Sequence, residues 1–185
     1  IRPDKKEAVF LLKKKKEVNG SFEFEEVEEV IKYDLLHVVP PMSAPDFIRK
    51  SPLAYNEGPN KGWLRVNKFT LQHLDYKNIF GLGDVIGSSS NKTGAAVRKE
   101  VPILAHNLSE VIKGNDEDNF IKYDGYTACP VVTDYGKVIL AEFDYNSKPK
   151  PSFPFDMTKE RYSMWLLKVY GLPFLYWNRM LKGKV

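Results

Sequence analysis

With 185 residues, the chain is long enough for one domain with its own core, or for parts of two. Apolar residues make up 43% and charged residues 28%, a composition typical of a folded protein that excludes wholesale disorder. The formal net charge of +4 is too weak to indicate a nucleic-acid partner, and none is expected. The longest nearly apolar run, 169–177, is too short for a membrane-spanning helix. Because the chain begins with Ile1 and not with Met, we expect it to be a piece of a longer protein.

The chain contains one cysteine, Cys129, and three histidines far apart in sequence. A lone cysteine excludes an internal disulfide framework and a cysteine-rich zinc site. The histidines lack ligand spacing, so no metal site is expected. On composition alone, a lone cysteine is most often a small buried hydrophobic residue.

The N-terminal part is predicted to be a β-hairpin. Strands are expected at 7–12 and 22–26, joined by a turn that contains Lys13 to Lys16 and Asn19-Gly20. The apolar run from Lys32 to Val39 predicts a buried central strand that the following prolines end.

The middle of the chain is predicted to contain one long helix after several short elements. A helical turn is expected near 46–50, with short strands at 63–66 and 78–82. The helix is predicted from about Thr93 to Ile112, because Thr93 can cap its start. Its expected apolar stripe is Ala96, Val97, Ile103, Leu104 and Leu108.

The C-terminal part is predicted to be a second strand pair followed by helices. The strands are expected at 123–132 and 137–143, and a proline-rich connector at 149–154 leads to two amphipathic helices. The order of elements predicts the end of an α/β domain followed by a smaller helical region.

A possible ligand site lies at Gly81-Leu82-Gly83-Asp84. It fails as a dinucleotide fingerprint, because the third glycine is Gly87 and is one residue out of register. A short strand ending in Gly-Asp, followed by a capped helix, instead favours a flavin site. Asp84 can accept hydrogen bonds from the ribityl hydroxyls, and the helix start near Thr93 offers free N–H groups to the pyrimidine ring. The alternative is that Gly83-Asp84 is a plain turn.

Several stretches, in order along almost the whole chain, resemble the C-terminal half of the mitochondrial-type sulfide:quinone oxidoreductase family. This family belongs to the pyridine nucleotide–disulfide oxidoreductase superfamily. The stretches are 33–41 (YDLLHVVPP), 70–73 (TLQH), 78–84 (NIFGLGD), 92–97 (KTGAAV), 122–130 (KYDGYTACP), 138–145 (VILAEFDY), 153–156 (FPFD) and 173–177 (PFLYW).

The resemblance implies an α/β fold that is the C-terminal part of a two-Rossmann-type flavoprotein, with a C-terminal amphipathic helical region that associates with a membrane. It divides the chain into the end of a second, nucleotide-binding-like domain, the closing segment of the FAD-binding domain, a strand pair carrying the active-site cysteine, and amphipathic helices. These parts are 1–66, 67–114, 115–150 and 151–185.

The resemblance also implies chemistry. Cys129 matches the C-terminal member of a redox-active cysteine pair, on which attack by sulfide leaves a persulfide. FAD is the expected cofactor, and Gly83, Asp84, Lys92 and Thr93 are its expected binding residues. Lys92 is predicted to stabilise the reduced flavin, although a solvent-exposed lysine is an equal alternative. The expected partners are sulfide, ubiquinone, and a small thiol or sulfite as sulfur acceptor.

The C-terminal tail is predicted to bind a membrane surface through residues 159–185. From Lys148 onward the chain has eight Lys or Arg residues and two acidic residues. Two apolar faces are expected, one with Tyr162, Trp165, Leu166, Val169 and Tyr170 and the other with Phe174, Trp177 and Leu181. An aromatic face bordered by basic residues is typical of a helix lying in the headgroup layer. The expected location is therefore peripheral, on the mitochondrial inner membrane. The alternative is that these faces pack against the protein body or a dimer partner.

Two other functions fit the sequence less well. An NADH:quinone reductase of the same superfamily would use no cysteine and would need a nucleotide fingerprint upstream. A non-catalytic, membrane-binding fragment is the other alternative, since the FAD pyrophosphate loop and a second cysteine are absent from these residues.

Overall fold

The computed structural model describes residues 1–18, 21–88, 91–115 and 117–184, without the side chain of Val18. It divides into two compact units, Ile1–Met42 and Ser43–Val185. The division into four parts expected from the family resemblance is not tested by this observation and stays a prediction.

The first unit is a long antiparallel hairpin. Strand β1 is Glu7–Val18 and strand β2 is Ser21–Lys32. The predicted turn at Lys13 to Lys16 is therefore wrong, because these lysines lie inside β1. All but Lys15, which faces Phe24, stand opposite glutamates of β2, and cross-strand ion pairs of 3.5–3.9 Å let the charged run continue as a strand. The predicted Asn19-Gly20 turn lies outside the described residues.

The predicted central strand from Lys32 to Val39 is also wrong. β2 ends at Lys32, and residues 33–42 form no strand. Leu35 is 89% exposed and Val39 is 77% exposed. An apolar run becomes a buried central strand only where strands flank it, and no described strand pairs with this segment.

The second unit begins with irregular chain that is ordered by single bridges. The helical turn predicted near 46–50 is confirmed as α1, Asp46–Arg49. The strands predicted at 63–66 and 78–82 are not formed: Leu64, Val66 and Phe80 each make only isolated bridges to distant residues. Packing in the hydrophobic core of the second unit, and not strand pairing in a sheet, keeps this segment in place. The core residues are Leu64, Val66, Leu71, Ile86, Tyr123, Tyr126 and Ala128.

The long helix is confirmed as α2, Gly94–Ile112. As predicted, Thr93 caps it, since its hydroxyl accepts a hydrogen bond of 3.2 Å from the Ala96 N–H. Of the expected apolar stripe, only Ala96 is fully buried. The other fully buried positions of α2 are the polar residues Glu100, Asn107 and Glu110.

The second strand pair is also confirmed. Strand β3 is Thr127–Asp134 and strand β4 is Lys137–Phe143, paired from Thr127 opposite Phe143, with a bulge between Val132 and Asp134. β3 begins later than predicted: residues 123–126 belong to no strand, Gly125 has φ +78°, and Tyr123 and Tyr126 pack in the core.

The C-terminal helices run on without a break. α3 is Tyr162–Leu166 and α4 is Leu172–Asn178, and a π-helical turn, Leu167–Gly171, joins them. Pro173 has no N–H and its ring crowds the preceding turn, so a wider turn before it lets the chain stay helical. Among the described residues, no helix has both the length and the apolar content needed to cross a bilayer. Small sheets and helices together make the predicted α/β class.

Asn107 is expected to be a major source of stability. It is fully buried and its amide binds three backbone groups: Nδ2 donates to Thr70 O and Ile121 O, both at 3.0 Å, and Oδ1 accepts from Ile121 N at 2.9 Å. Asn107→Ala leaves these groups buried without partners and should cost about 2–4 kcal/mol. Urea denaturation followed by circular dichroism measures the loss. The control is Asn178→Ala on exposed α4, expected to cost less than about 0.5 kcal/mol; equal losses would contradict the assignment.

Candidate active site around Cys129

A hydroxyl pair joins the start of α2 to the start of β3. Thr93 Oγ1 and Thr127 Oγ1 lie 2.9 Å apart and share a hydrogen bond, and Thr127 is only 2% exposed. The Thr127 hydroxyl also lies 3.4 Å from the Asn91 carbonyl oxygen, to which it can donate. Because Cys129 follows two residues later on β3, this contact places the cysteine beside the N-terminus of α2. Of the predicted site residues, Thr93 and Cys129 are brought together in this way.

Cys129 is exposed and does not behave as the buried hydrophobic residue that a lone cysteine most often is. It stands opposite Ala141 on β4, so the neighbouring strand leaves space beside the sulfur. An exposed thiol can be attacked and can exchange, which a buried thiol cannot. The position fits a reactive cysteine.

Cys129 lines a cavity of about 700 Å³. Its walls come from the first turns of α2, from β3 and β4, and from the C-terminal helices, and most of the lining is apolar. The apolar lining includes Val97, Ala128, Val138, Leu140, Phe153, Met164, Leu167, Leu172, Leu175 and Met180. A cavity of this size and character suits a flat or chain-like apolar ligand.

Polar groups converge on the cavity at two places. Lys168 Nζ donates to the Pro130 carbonyl oxygen at 2.7 Å, which brings a cation next to the residue after Cys129. On the other wall, Glu142 is 4% exposed and its Oε1 accepts from Tyr126 Oη at 2.5 Å and from Ser152 Oγ at 2.6 Å. Burial, together with the Glu142 carboxylate, raises the pKa of Tyr126 above its ordinary value. No sequence motif predicted a role for Lys168, Glu142 or Ser152.

The predicted Gly83-Asp84 site forms a tight 3₁₀ turn, Gly83–Val85. Gly83 is buried, has φ +68°, and donates its N–H to Glu100 Oε2 at 2.8 Å. A Cβ atom at Gly83 would lie 3.2 Å from Cγ2 of Val97, which lines the cavity. Asp84 itself is exposed. The turn is therefore packed on the same first turns of α2 that form the cavity wall.

Lys92 is half-buried and is not a free surface lysine. Its ammonium lies 4.2 Å from the centroid of the Trp63 ring. Burial lowers the pKa of Lys92, and the negative charges of Asp84 and Glu100 partly offset this. Burial raises the pKa of Glu100, against the Gly83 hydrogen bond and the Lys92 charge. Three ionisable groups thus interact beside the N-terminus of α2.

Glu100 was not predicted to be a site residue, because the buried face of the helix was predicted from its apolar residues alone. It lies four residues after Ala96, on the same buried face, so a charged residue at that spacing was the available signal. No group of three or more His, Cys, Asp or Glu side chains with metal-site geometry occurs in the described part of the chain.

The C-terminal segment has two different faces. The side toward the cavity is apolar and was not predicted; it includes buried Met164. Residues of both predicted aromatic faces are exposed: Tyr170 of the first face, and Phe174 and Trp177 of the second, are 64–65% exposed. The first face nevertheless packs in part against the body of the second unit, since the Trp165 ring lies 5.6 Å from the ring of Tyr135, in the turn between β3 and β4.

Comparison with known proteins supports the family resemblance. The chain is 48% identical over 184 residues to mitochondrial sulfide:quinone oxidoreductase of Mus musculus, covering 99% of the chain. It is 44% identical to the Dictyostelium discoideum protein of the same name over 100% of the chain, and 40% identical to the Schizosaccharomyces pombe protein over 79%. The chain matches a segment of the sulfide:quinone oxidoreductase family. It spans 37% of the length of the mouse and Dictyostelium oxidoreductases, in agreement with the expected C-terminal part.

Neither family models nor solved structures add to the match with the sulfide:quinone oxidoreductases. No family model matches the chain. A chain in the cryo-EM structure of the Tetrahymena thermophila mitochondrial ATP synthase F1Fo tetramer has a similar fold, with a TM-score of 0.73 and 22% identity. This alignment covers 95% of the present chain and 39% of the Tetrahymena chain, and it shows likeness of fold alone.

Gly83→Ala is expected to destabilise the protein, whereas Gly94→Ala is not. Alanine at position 83 meets both a left-handed backbone and Val97, and should cost about 1–2 kcal/mol. At position 94, in the first turn of α2, a Cβ atom meets nothing within 4 Å, so alanine should be neutral or stabilise by up to about 1 kcal/mol. Urea denaturation of both variants checks the signs. Equal effects would show that the turn does not require glycine.

Proposed function

We propose that this chain is the C-terminal part of an FAD-dependent sulfide:quinone oxidoreductase, which oxidises sulfide through a cysteine persulfide and reduces ubiquinone. The observation that carries the proposal is the exposed Cys129 in the wall of an apolar cavity beside the N-terminus of α2. The names of the relatives do not favour an NADH:quinone reductase or a non-catalytic fragment.

The proposed sulfur chemistry needs a second cysteine, which these residues do not contain. Sulfide attacks Cys129 Sγ in a disulfide with that cysteine; the S–S bond breaks, a persulfide forms on Cys129, and the second cysteine leaves as thiolate. A small thiol or sulfite then takes the outer sulfur and leaves Cys129 as a thiol. Re-forming the disulfide releases two electrons. The Lys168 cation, held at the Pro130 carbonyl, would favour the anionic sulfur species.

The residues around the start of α2 fit a flavin. Thr93, Gly94 and Ala95 line the cavity, and within the described residues the N–H groups of Gly94 and Ala95 have no acceptor. Open space above Gly94 leaves room for a ring carbonyl. Gly83 and Asp84 would hold the ribityl hydroxyls, and Lys92 would stabilise negative charge on the ring. Bound FAD would supply two-electron transfer from the thiols to the quinone.

The cavity and the C-terminal segment together fit a lipid-soluble quinone. The apolar lining would accept a ring and the start of its tail, and Phe153, which stacks with Phe155 at 5.3 Å, lies at the wall. The exposed aromatic residues of segment 159–185 and the nearby basic residues would rest on the membrane surface, so that ubiquinone need not leave the bilayer. We propose a peripheral position on the mitochondrial inner membrane.

Replacement of Cys129 tests the catalytic role. In the full-length protein, Cys129→Ser should slow flavin bleaching by sulfide by at least about a hundredfold, since the attacked sulfur is missing. Stopped-flow absorbance in the flavin band measures the rate. Thr133→Ser, an exposed position on the same strand, is the control and should bleach at the wild-type rate. Normal bleaching in the Cys129 variant would remove the cysteine from the mechanism.

Membrane binding is tested by polar substitutions on the outward face. The double variant Phe174→Ser and Trp177→Ser should weaken binding to liposomes containing anionic lipid by at least about tenfold, because two exposed aromatic groups that would insert into the lipid are lost. Co-sedimentation measures binding. Phe47→Ser with Ile112→Ser, at 74% and 78% exposed positions outside the segment, is the matched control and should bind normally. If both pairs behave alike, the segment is not the membrane-binding surface.

A further inference from the structure

Glu100 connects the long helix to the proposed flavin-binding turn. Its side chain leaves α2 and accepts the Gly83 N–H at 2.8 Å, and the residue is only 2% exposed. A buried carboxylate that accepts a backbone N–H makes a strong, directional contact. This contact places residue 83 relative to the helix.

Gly83 itself makes few other polar contacts. The hydrogen bond that closes it, from Ile86 N to Gly83 O, is 3.4 Å long. Leu82, before the turn, supplies no side-chain cap. The Gly83–Glu100 hydrogen bond is therefore the shortest polar contact that the structure gives Gly83. Together with the 2.9 Å hydrogen bond from Leu64 N to Val85 O, it sets the position of Asp84, which lies between the two held residues.

The charges around Glu100 point to the same site. Asp84 and Glu100 both stabilise the charged form of Lys92, and Lys92 in turn acts on Glu100. Within the described residues, the Asp84 carboxylate has no hydrogen-bond partner of its own, so its oxygens are available to a ligand. Glu100, in contrast, is committed to the backbone.

We propose that Glu100 is a positioning residue of the flavin site: it holds the Gly83 backbone so that Asp84 faces the hydroxyl chain of the flavin. This inference rests on the proposed function. It adds to the site a residue that does not touch the flavin itself but positions Asp84, which does. The Gly83 N–H needs only a hydrogen-bond acceptor, so the side-chain carbonyl oxygen of a glutamine at position 100 would also bind it.

The experiment measures FAD affinity, not turnover. The full-length apoprotein carrying Glu100→Ala or Glu100→Gln is titrated with FAD, and binding is followed by flavin fluorescence. Glu100→Ala should weaken binding about tenfold or more, because a buried N–H loses its acceptor and the turn is released. Glu100→Gln should restore affinity to within about threefold of wild type.

Glu110→Ala is the matched control. Glu110 is the other buried glutamate of α2, is 8% exposed, and binds Lys113 and Asn115 at the far end of the helix. Its loss should leave FAD affinity unchanged, whatever it does to the melting temperature. Should Glu100→Ala not fold, Glu100→Asp replaces it; its carboxylate is one methylene too short, and weaker FAD binding is again expected.

The outcomes separate the inference from the proposed function. Wild-type FAD affinity in Glu100→Ala, or in Glu100→Asp if that variant is used, would overturn the inference and leave the function standing. The inference would also be overturned if Glu100→Gln failed to restore FAD affinity, or if Glu110→Ala weakened FAD binding as much as Glu100→Ala. A wild-type full-length protein that binds no FAD would instead refute the proposed function.

Discussion

The hydrogen bond between the hydroxyls of Thr93 and Thr127 is the contact around which the candidate site is assembled. It ties the start of the only long helix in the described residues to the start of the strand that carries Cys129. One of these hydroxyls also caps the helix, so the same residue ends the extended chain, starts α2 and positions β3. The cavity, the cysteine and the free N–H groups of α2 all follow from that junction.

Helix α2 orients the chain around it through polar contacts on its buried face. Glu100 binds the turn at Gly83, and Asn107 binds the loop at Thr70 and the segment at Ile121. The segments it holds are irregular and supply backbone groups that no sheet pairs, so buried side chains must satisfy them. The helix acts as a scaffold for loops, and loops on a rigid scaffold are where binding residues usually lie.

The C-terminal segment closes the cavity with one face and leaves the other face apolar and exposed. An exposed aromatic face of this extent is uncommon on a protein surface unless something covers it. The continuous helix makes both roles possible, because the π-helical turn before Pro173 keeps the two halves aligned. One wall of the Cys129 cavity and the proposed membrane-facing surface are thus two sides of one element.

The sequence predicted the elements that depend on local signals. The capped helix from Thr93, the strand pair that became β3 and β4, and the family resemblance are of this kind, since capping, strand patterns and motifs act over a few residues. It also singled out Cys129, although only the resemblance gave the cysteine a role. Predictions that required a distant partner were less successful.

Tertiary structure decided what depends on residues far apart in the chain. The run from Lys32 to Val39 has strand composition but no neighbouring strand, and it stays exposed. The residues at 63–66 form bridges in place of a strand, because core packing and not a ladder holds them. The same holds for three residues of the site, Glu100, Tyr126 and Glu142. Their burial and their hydrogen-bond partners depend on how distant segments pack, which a local sequence pattern does not predict.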